Sequence, residues 1–260
     1  MRPKALAPVA HARPHHRSGF APLALAAFAA LAAPALTGCE TTAEKSARLE
    51  EAALARARTT RSSTVPAAFA PSSKLHVTQT ALVHGSEGWA VVVTVRNGSA
   101  GAQLGAPISI IVHGAGGSSL YTNAEGGLSR SLTTLPLIPA HGETTWVDDQ
   151  VQVSGTPSGV TAKVGEGMAV KKAPRALTVT SRPPVSEPGG GEGVAGQVVN
   201  RTGVEQRELV VSAVARRAGR VVGAGRAVLS TLAAGATSPF QIFFTGSAKG
   251  ARVEVSAPPP

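Results

Sequence analysis

Trp89-Ala90-Val91-Val92-Val93-Thr94-Val95-Arg96-Asn97-Gly98 is an apolar, β-branched run that stops at an Asn-Gly turn. Branched residues suit a pleated strand, and Asn and Gly suit the turn that ends it. The same grammar extends in both directions. Residues 75–83, 107–113, 129–134, 144–153 and 160–164 read as further strands. Turn clusters at 84–88, 97–101, 114–119, 139–142 and 154–159 separate them. Downstream, strands are expected at 176–181, 193–200, 208–215, 220–229, 239–244 and 251–256. Six short strands per unit, with a turn every ten residues or so, predict an all-β chain of two tandem β-sandwiches. Their expected bounds are 74–173 and 174–258.

The two units read as copies. Val194 to Asn200, with Gly203 soon after, parallels Trp89 to Asn97. Ile108-Ser109-Ile110-Ile111-Val112 parallels Val210-Val211-Ser212-Ala213-Val214. The turn within Leu137 to Thr144 parallels that within Thr231 to Thr237, with Gly142 set against Gly235. Asn97 and Asn200 differ by 103 positions, and Gly142 and Gly235 by 93. The first copy is therefore expected to carry about ten extra residues, placed around 121–127.

Gly196-Gln197-Val198-Val199-Asn200-Arg201-Thr202-Gly203, with Leu209 to Val214, Ala218 to Gly223 and Leu232 to Thr237, resembles the FxLyD domain. The resemblance spans about residues 177–255 and is weaker in the first unit. It implies small immunoglobulin-like, extracytoplasmic β-sandwiches of the kind common in bacterial lipoproteins, with no common catalytic activity. The naming motif is missing, since Ala215-Arg216-Arg217 stands where that family has an aromatic and an acid.

The N-terminus carries a second signal. Residues 1–18 hold Arg2, Lys4, Arg13 and Arg17 and no acid, and residues 20–36 are almost wholly apolar. A basic stretch, an apolar stretch and small residues before a cut describe an export signal, here residues 1–38. Leu36-Thr37-Gly38-Cys39 resembles the lipobox of bacterial lipoproteins. That resemblance implies acylation of Cys39, the only cysteine, as the first mature residue and a membrane anchor. The alternatives are an uncleaved signal anchor or a core helix ending in a buried cysteine. The apolar run is short for a spanning helix and is interrupted by Pro22 and Pro34.

Beyond Cys39, Thr41 and Glu44 have capping-box spacing. Glu40, Glu44, Glu50 and Glu51 sit early, and Arg56, Arg58 and Arg61 sit late, an order that complements the helix dipole. A short helical stalk is expected over 40–61 and a flexible Ser/Thr/Ala/Pro joint over 59–73, so that 39–73 lifts the sandwiches off the membrane.

Composition narrows the chemistry. Gly and Pro supply 29 and 19 of 260 residues and aromatics only 3%. The formal charge of +10 falls near +6 once the four basic residues of 1–38 are set aside, leaving 21 basic against 15 acidic. The basic residues are scattered and stacking aromatics scarce, so nucleic-acid binding is not expected. His76, His84, His113 and His141 all lie in the first unit and invite a metal site, but no close pair has ligand spacing. Asp148-Asp149 is an adjacent acidic pair, yet neighbours on a strand face opposite ways. Gly114 to Gly117 reads as a hairpin tip and Gly189 to Gly191 as a loop, and neither has the phosphate-loop pattern. Trp89, Trp146, Phe240, Phe243 and Phe244 read as core anchors. Asn97-Gly98-Ser99 and Asn200-Arg201-Thr202 match a glycosylation sequon but read as turn residues.

The expected function is a non-catalytic binding or scaffolding module of the bacterial cell envelope, anchored at Cys39 on an exported membrane face, with a protein partner. No cofactor, metal, small-molecule substrate or nucleic acid is expected. The alternative is a structural spacer or accessory subunit. A metal-handling protein or envelope enzyme using the four histidines is the remaining reading.

Overall fold

Sixteen β-strands and no α-helix make up the described part of this computed structural model, residues 68–260 apart from 87, 173, 175–176 and 187–190. The expected export signal 1–38, Cys39 and the stalk helix over 40–61 lie outside the described residues. The strands are β1 (Leu75–Gly85), β2 (Gly88–Asn97), β3 (Ala102–Leu104), β4 (Ile108–His113), β5 (Ser119–Thr122), β6 (Glu143–Val151), β7 (Gly159–Val164) and β8 (Met168–Val170). They continue as β9 (Thr178–Ser181), β10 (Val185–Ser186), β11 (Glu192–Val199), β12 (Gln206–Arg217), β13 (Arg220–Leu232), β14 (Thr237–Phe243), β15 (Thr245–Gly246) and β16 (Arg252–Ser256).

Alternation along each strand decides the layers. Val91, Val93 and Val95 of β2 pack with Ile108, Ile110 and Val112 of β4 and with Trp146 of β6. This core lies between sheet β1-β2-β6 and sheet β5-β4-β7. Leu209, Val211 and Ala213 of β12 meet Val194, Val198, Phe240 and Ile242 in a second core. That one lies between sheet β15-β13-β12-β16 and sheet β10-β11-β14, which β9 extends. The other face of β2, Ala90 and Val92, packs with Val83 and Val147 against Val214 and Ala224. Sheet β1-β2-β6 is thus covered on both faces, which is why β2 is an unbroken apolar run. Burying each such valine stabilises the fold by about 1.5–3 kcal/mol. All described residues fall in one compact unit.

The registers of the two halves match. Val95 pairs Thr144 and Val93 pairs Trp146, as Val198 pairs Ser238 and Gly196 pairs Phe240. Ile110 pairs Ala162 as Ala213 pairs Val255. Even the bulge recurs, between Val112 and His113 and between Ala215 and Arg216. Two expected alignments are corrected by one position. Ile108 corresponds to Val211, not Val210, because only Val211 faces the core. A slip of one residue exchanges the two faces of a strand. In the second turn His141 corresponds to Gly235, both with positive φ (52° and 77°). The Asn97 and Asn200 amides then bond Gly142 O and Ala236 O alike, both at 2.9 Å. The first half has nine extra residues rather than ten, most of them between Thr122 and Ile138.

Each half is locked by one asparagine. Asn97 and Asn200 are fully buried. Asn97 Oδ1 accepts from Ser99 N–H (2.9 Å) and Oγ (2.7 Å), and its Nδ2 donates to Gly101 O (2.8 Å). Asn200 Oδ1 accepts from Thr202 N–H (3.0 Å) and Oγ1 (2.7 Å), and its Nδ2 donates to Val204 O, Leu232 O and Ala233 O. The asparagines expected as turn residues hold their turns through the side chain, with no positive φ, as plugs joining strand end to turn.

Residues 129–134, read as a strand, form a 3₁₀ turn over Arg130–Leu132 instead. Ser129 Oγ caps it, and the one apolar residue of the run, Leu132, drops into the core. Strand β5 begins at Ser119, the last residue of the expected 114–119 turn, and was not expected, and β3, β8, β10 and β15 are too short to show periodicity. Ser72, expected in a flexible joint, is fastened by its N–H to Val164 O at 2.8 Å.

The β12–β13 hairpin turns on Ala218 (φ 48°) and Gly219 (φ 76°). A two-residue turn with positive φ at both positions favours Asn-Gly. The left-handed conformation costs an alanine about 1–2 kcal/mol. Ala218→Asn is expected to stabilise the fold by about 1 kcal/mol, read from the urea midpoint.

Candidate functional site

Asp148 and Asp149 sit side by side on β6 and point to opposite faces, as alternation requires. Asp148 is fully buried, and its Oδ2 accepts from Tyr121 OH at 2.7 Å. Its Oδ1 accepts from Gln150 N–H at 3.0 Å. Burial pushes the Asp148 carboxyl above its ordinary range, against the opposing pull of Tyr121, Gln150 N–H and Arg226. Burial, then the Asp148 charge, pushes the Tyr121 phenol far above its own.

Asp149 faces the other way and binds β13. Arg226 donates to it twice, from Nε to Oδ1 (2.9 Å) and from the backbone N–H to Oδ2 (3.0 Å). Arg226 Nη1 also reaches Ser131 Oγ at 2.9 Å, and Trp146 Nε1 donates to Ser131 O at 2.9 Å. The Arg226 side chain is 4% exposed. Two carboxylates on opposite faces of one sheet cannot share a substrate, so this cluster joins layers and does no paired acid–base work.

The raised pKa of Asp148 has a sign. Folding favours its neutral form, so its contribution to stability is greatest below about pH 3.9, the unfolded value. It is lost as pH rises through the higher folded value. Asp148→Asn keeps an acceptor for Tyr121 and removes the buried charge. It is expected to raise stability at pH 7–8 and to flatten this part of the pH profile, measured by urea unfolding across pH.

The four histidines do not form a centre. His76 and His84 are exposed at opposite ends of β1, and the His84 ring tilts over Trp89 at 4.5 Å. His113 Nε2 bonds Thr161 Oγ1 at 2.9 Å, and His141 occupies the turn before β6. No group of three His, Cys, Asp or Glu among the described residues is placed to hold a metal ion. Trp146 and Phe240 are core residues, and Trp89 and Phe244 pack at core edges. Phe243, read as a core anchor, is 55% exposed. It follows Ile242 on β14 and so takes the outer face, beside Gly193, where no side chain competes for the space. Gly114 and Ala115–Gly117 form the β4–β5 hairpin tip. Leu36, Thr37, Gly38 and Cys39 lie outside the described residues.

A cleft of about 460 Å³ lies between the halves. Leu104, Arg130 and Trp146 line one side, and the 204–208 segment with Pro258 and Pro260 lines the other. Pro259 O accepts from Leu137 N–H at 2.9 Å, so the 257–260 run bridges back to the first half. Glu208, at φ 51°, kinks the wall of the cleft. Sequence reading missed this cleft because segments far apart in the chain assemble it. One available signal was Gln103 and Gln206, both buried and 103 positions apart like the two asparagines. Comparison with models of known protein families and with curated proteins gives no match.

Proposed function

We propose that the chain is an exported bacterial lipoprotein in which acylated Cys39 holds two tandem immunoglobulin-like, FxLyD-like domains at the cell envelope. There they act as a non-catalytic binding or scaffolding module for another protein. The anchor rests on Leu36-Thr37-Gly38-Cys39 after its basic and apolar stretches. Two or three acyl chains tether a protein firmly, which one does not. The domain reading rests on the matched registers and the twin asparagine plugs. The observation that best supports scaffolding is the Asp149–Arg226–Ser131 junction. A scaffold needs its two binding surfaces at a fixed spacing, and this junction resists their rotation.

Metabolic labelling with an alkyne-tagged fatty acid tests the anchor. The wild-type protein is expected to carry label and to sediment with membranes, and Cys39→Ser to lose both. Unlabelled wild-type protein in the soluble fraction would overturn the reading. Crosslinking in intact cells is expected to capture one protein in fixed stoichiometry, and a ladder of unrelated proteins would contradict a dedicated scaffold.

A further inference from the structure

The repeat exposes a place that β8 fills in the first half and that no described strand fills in the second. After β7 the chain passes through residues 165–167 into β8, which pairs antiparallel with β3. Ala102 faces Val170, Gln103 faces Ala169 and Leu104 faces Met168. Gln103 exchanges its backbone bonds with Ile138 on the other side, at 2.9 and 2.8 Å. In an antiparallel ladder successive residues bond to alternate sides. Ala102 and Leu104 therefore bond toward β8.

The second half repeats this frame. Gln206 pairs Leu232 as Gln103 pairs Ile138. Glu205 and Arg207 correspond to Ala102 and Leu104, so their backbone groups point away from β13. By the β12–β16 register Ala257 stands for Val164, and 258–260 stand for 165–167. Among the described residues no strand lies where β8 would lie. Glu205 and Arg207 are exposed, and this edge forms a wall of the 460 Å³ cleft. Gly167 N–H donates to Gln103 Oε1 at 2.9 Å and so guides the chain into β8. Pro260, in the equivalent place, has no N–H to give.

We propose that the edge at 205–207 is a strand acceptor, which takes an extended segment of a partner polypeptide antiparallel, as β3 takes β8. The proposal rests on the protein-binding reading above and assigns its site. β8 defines the chemistry of the donor. Three consecutive residues pair with the edge, and the central one, opposite Gln206, is small, as Ala169 is opposite Gln103. The two flanking residues supply backbone N–H groups, so neither is proline. Main-chain bonds provide the binding and the cleft selects the side chains.

The test is a chain of residues 39–260 extended after Pro260 by the five residues found at 168–172. Hydrogen exchange of the Arg207 and Glu205 amides is read by NMR. The extension is expected to slow exchange at Arg207 about tenfold, the effect of one added hydrogen bond. An extension of equal length with proline at its first and third positions should give no slowing. Equal exchange in all three chains overturns the acceptor. Crosslinking in cells separates this proposal from the functional reading. Loss of the captured partner in Arg207→Pro, with folding shown by an unchanged tryptophan fluorescence melt, supports the edge. A partner captured equally by Arg207→Pro overturns the edge and leaves the scaffold. No partner at all overturns the scaffold reading and, with it, the natural donor.

Discussion

Asn200→Ala is expected to destabilise the protein by about 3–5 kcal/mol, a large fraction of the stability of an ordinary domain. The side chain is wholly enclosed and bonds five groups, two at Thr202 and the carbonyls of Val204, Leu232 and Ala233. Thr202 Oγ1 keeps its bond to Val204 O at 3.0 Å, so not every group is orphaned. Those that are cost about 1–3 kcal/mol each when buried without a partner. Asn200→Asp should not rescue the loss, because a carboxylate presents no donor to three carbonyls and carries a buried charge. Asn97→Ala should behave alike in the first half. The urea midpoint measures the loss, with the slope checked for constancy. A loss below about 1 kcal/mol would mean that the turns hold without the plug.

Arg226→Met carries the second large effect. The guanidinium lies between layers and bonds Asp149 through Nε, and the Arg226 backbone N–H adds a second bond to the same carboxylate. One of those bonds comes from the backbone and survives the substitution. Removing one partner of a buried pair leaves the other charge uncompensated, at a cost of about 3–5 kcal/mol. Replacing both by apolar residues, Arg226→Met with Asp149→Leu, removes the stranded charge and should recover most of the loss. The double-mutant cycle measures the coupling between them. A double variant whose loss is the sum of the two single losses would mean that the pair contributes nothing to joining the layers.

Much of the strand content was legible because period two and branched residues mark strands of six residues or more. The short strands β3, β8, β10 and β15 carry no such period and appear only once their partners exist. The segment 129–134 misled because Ser-Arg-Ser-Leu-Thr-Thr alternates weakly, whereas a serine cap and one buried leucine fold it as a turn. The stacking of the halves had a signal in the comparison of β2 with β11. Ala90, Val92 and Thr94 occupy the face where β11 has Gly193, Ala195 and Gln197. The branched set is covered by β12 and β13, and the small or polar set faces outward. One sequence read without its duplicate could not separate a doubly covered strand from a merely hydrophobic one. The cleft was hidden for a different reason, since Arg130, Glu205 and Pro260 meet only after both halves fold. The opposed facing of Asp148 and Asp149 was readable from alternation alone, but their partners Tyr121 and Arg226 were not.

The central claim is that two copies of one sheet pair are fused through a shared buried face into a single cooperative body. Differential scanning calorimetry of residues 68–260 reads this as the number of transitions. The account predicts one transition with calorimetric and van't Hoff enthalpies equal. Two resolved transitions, each with about half the total enthalpy, would show halves that unfold alone and would contradict it.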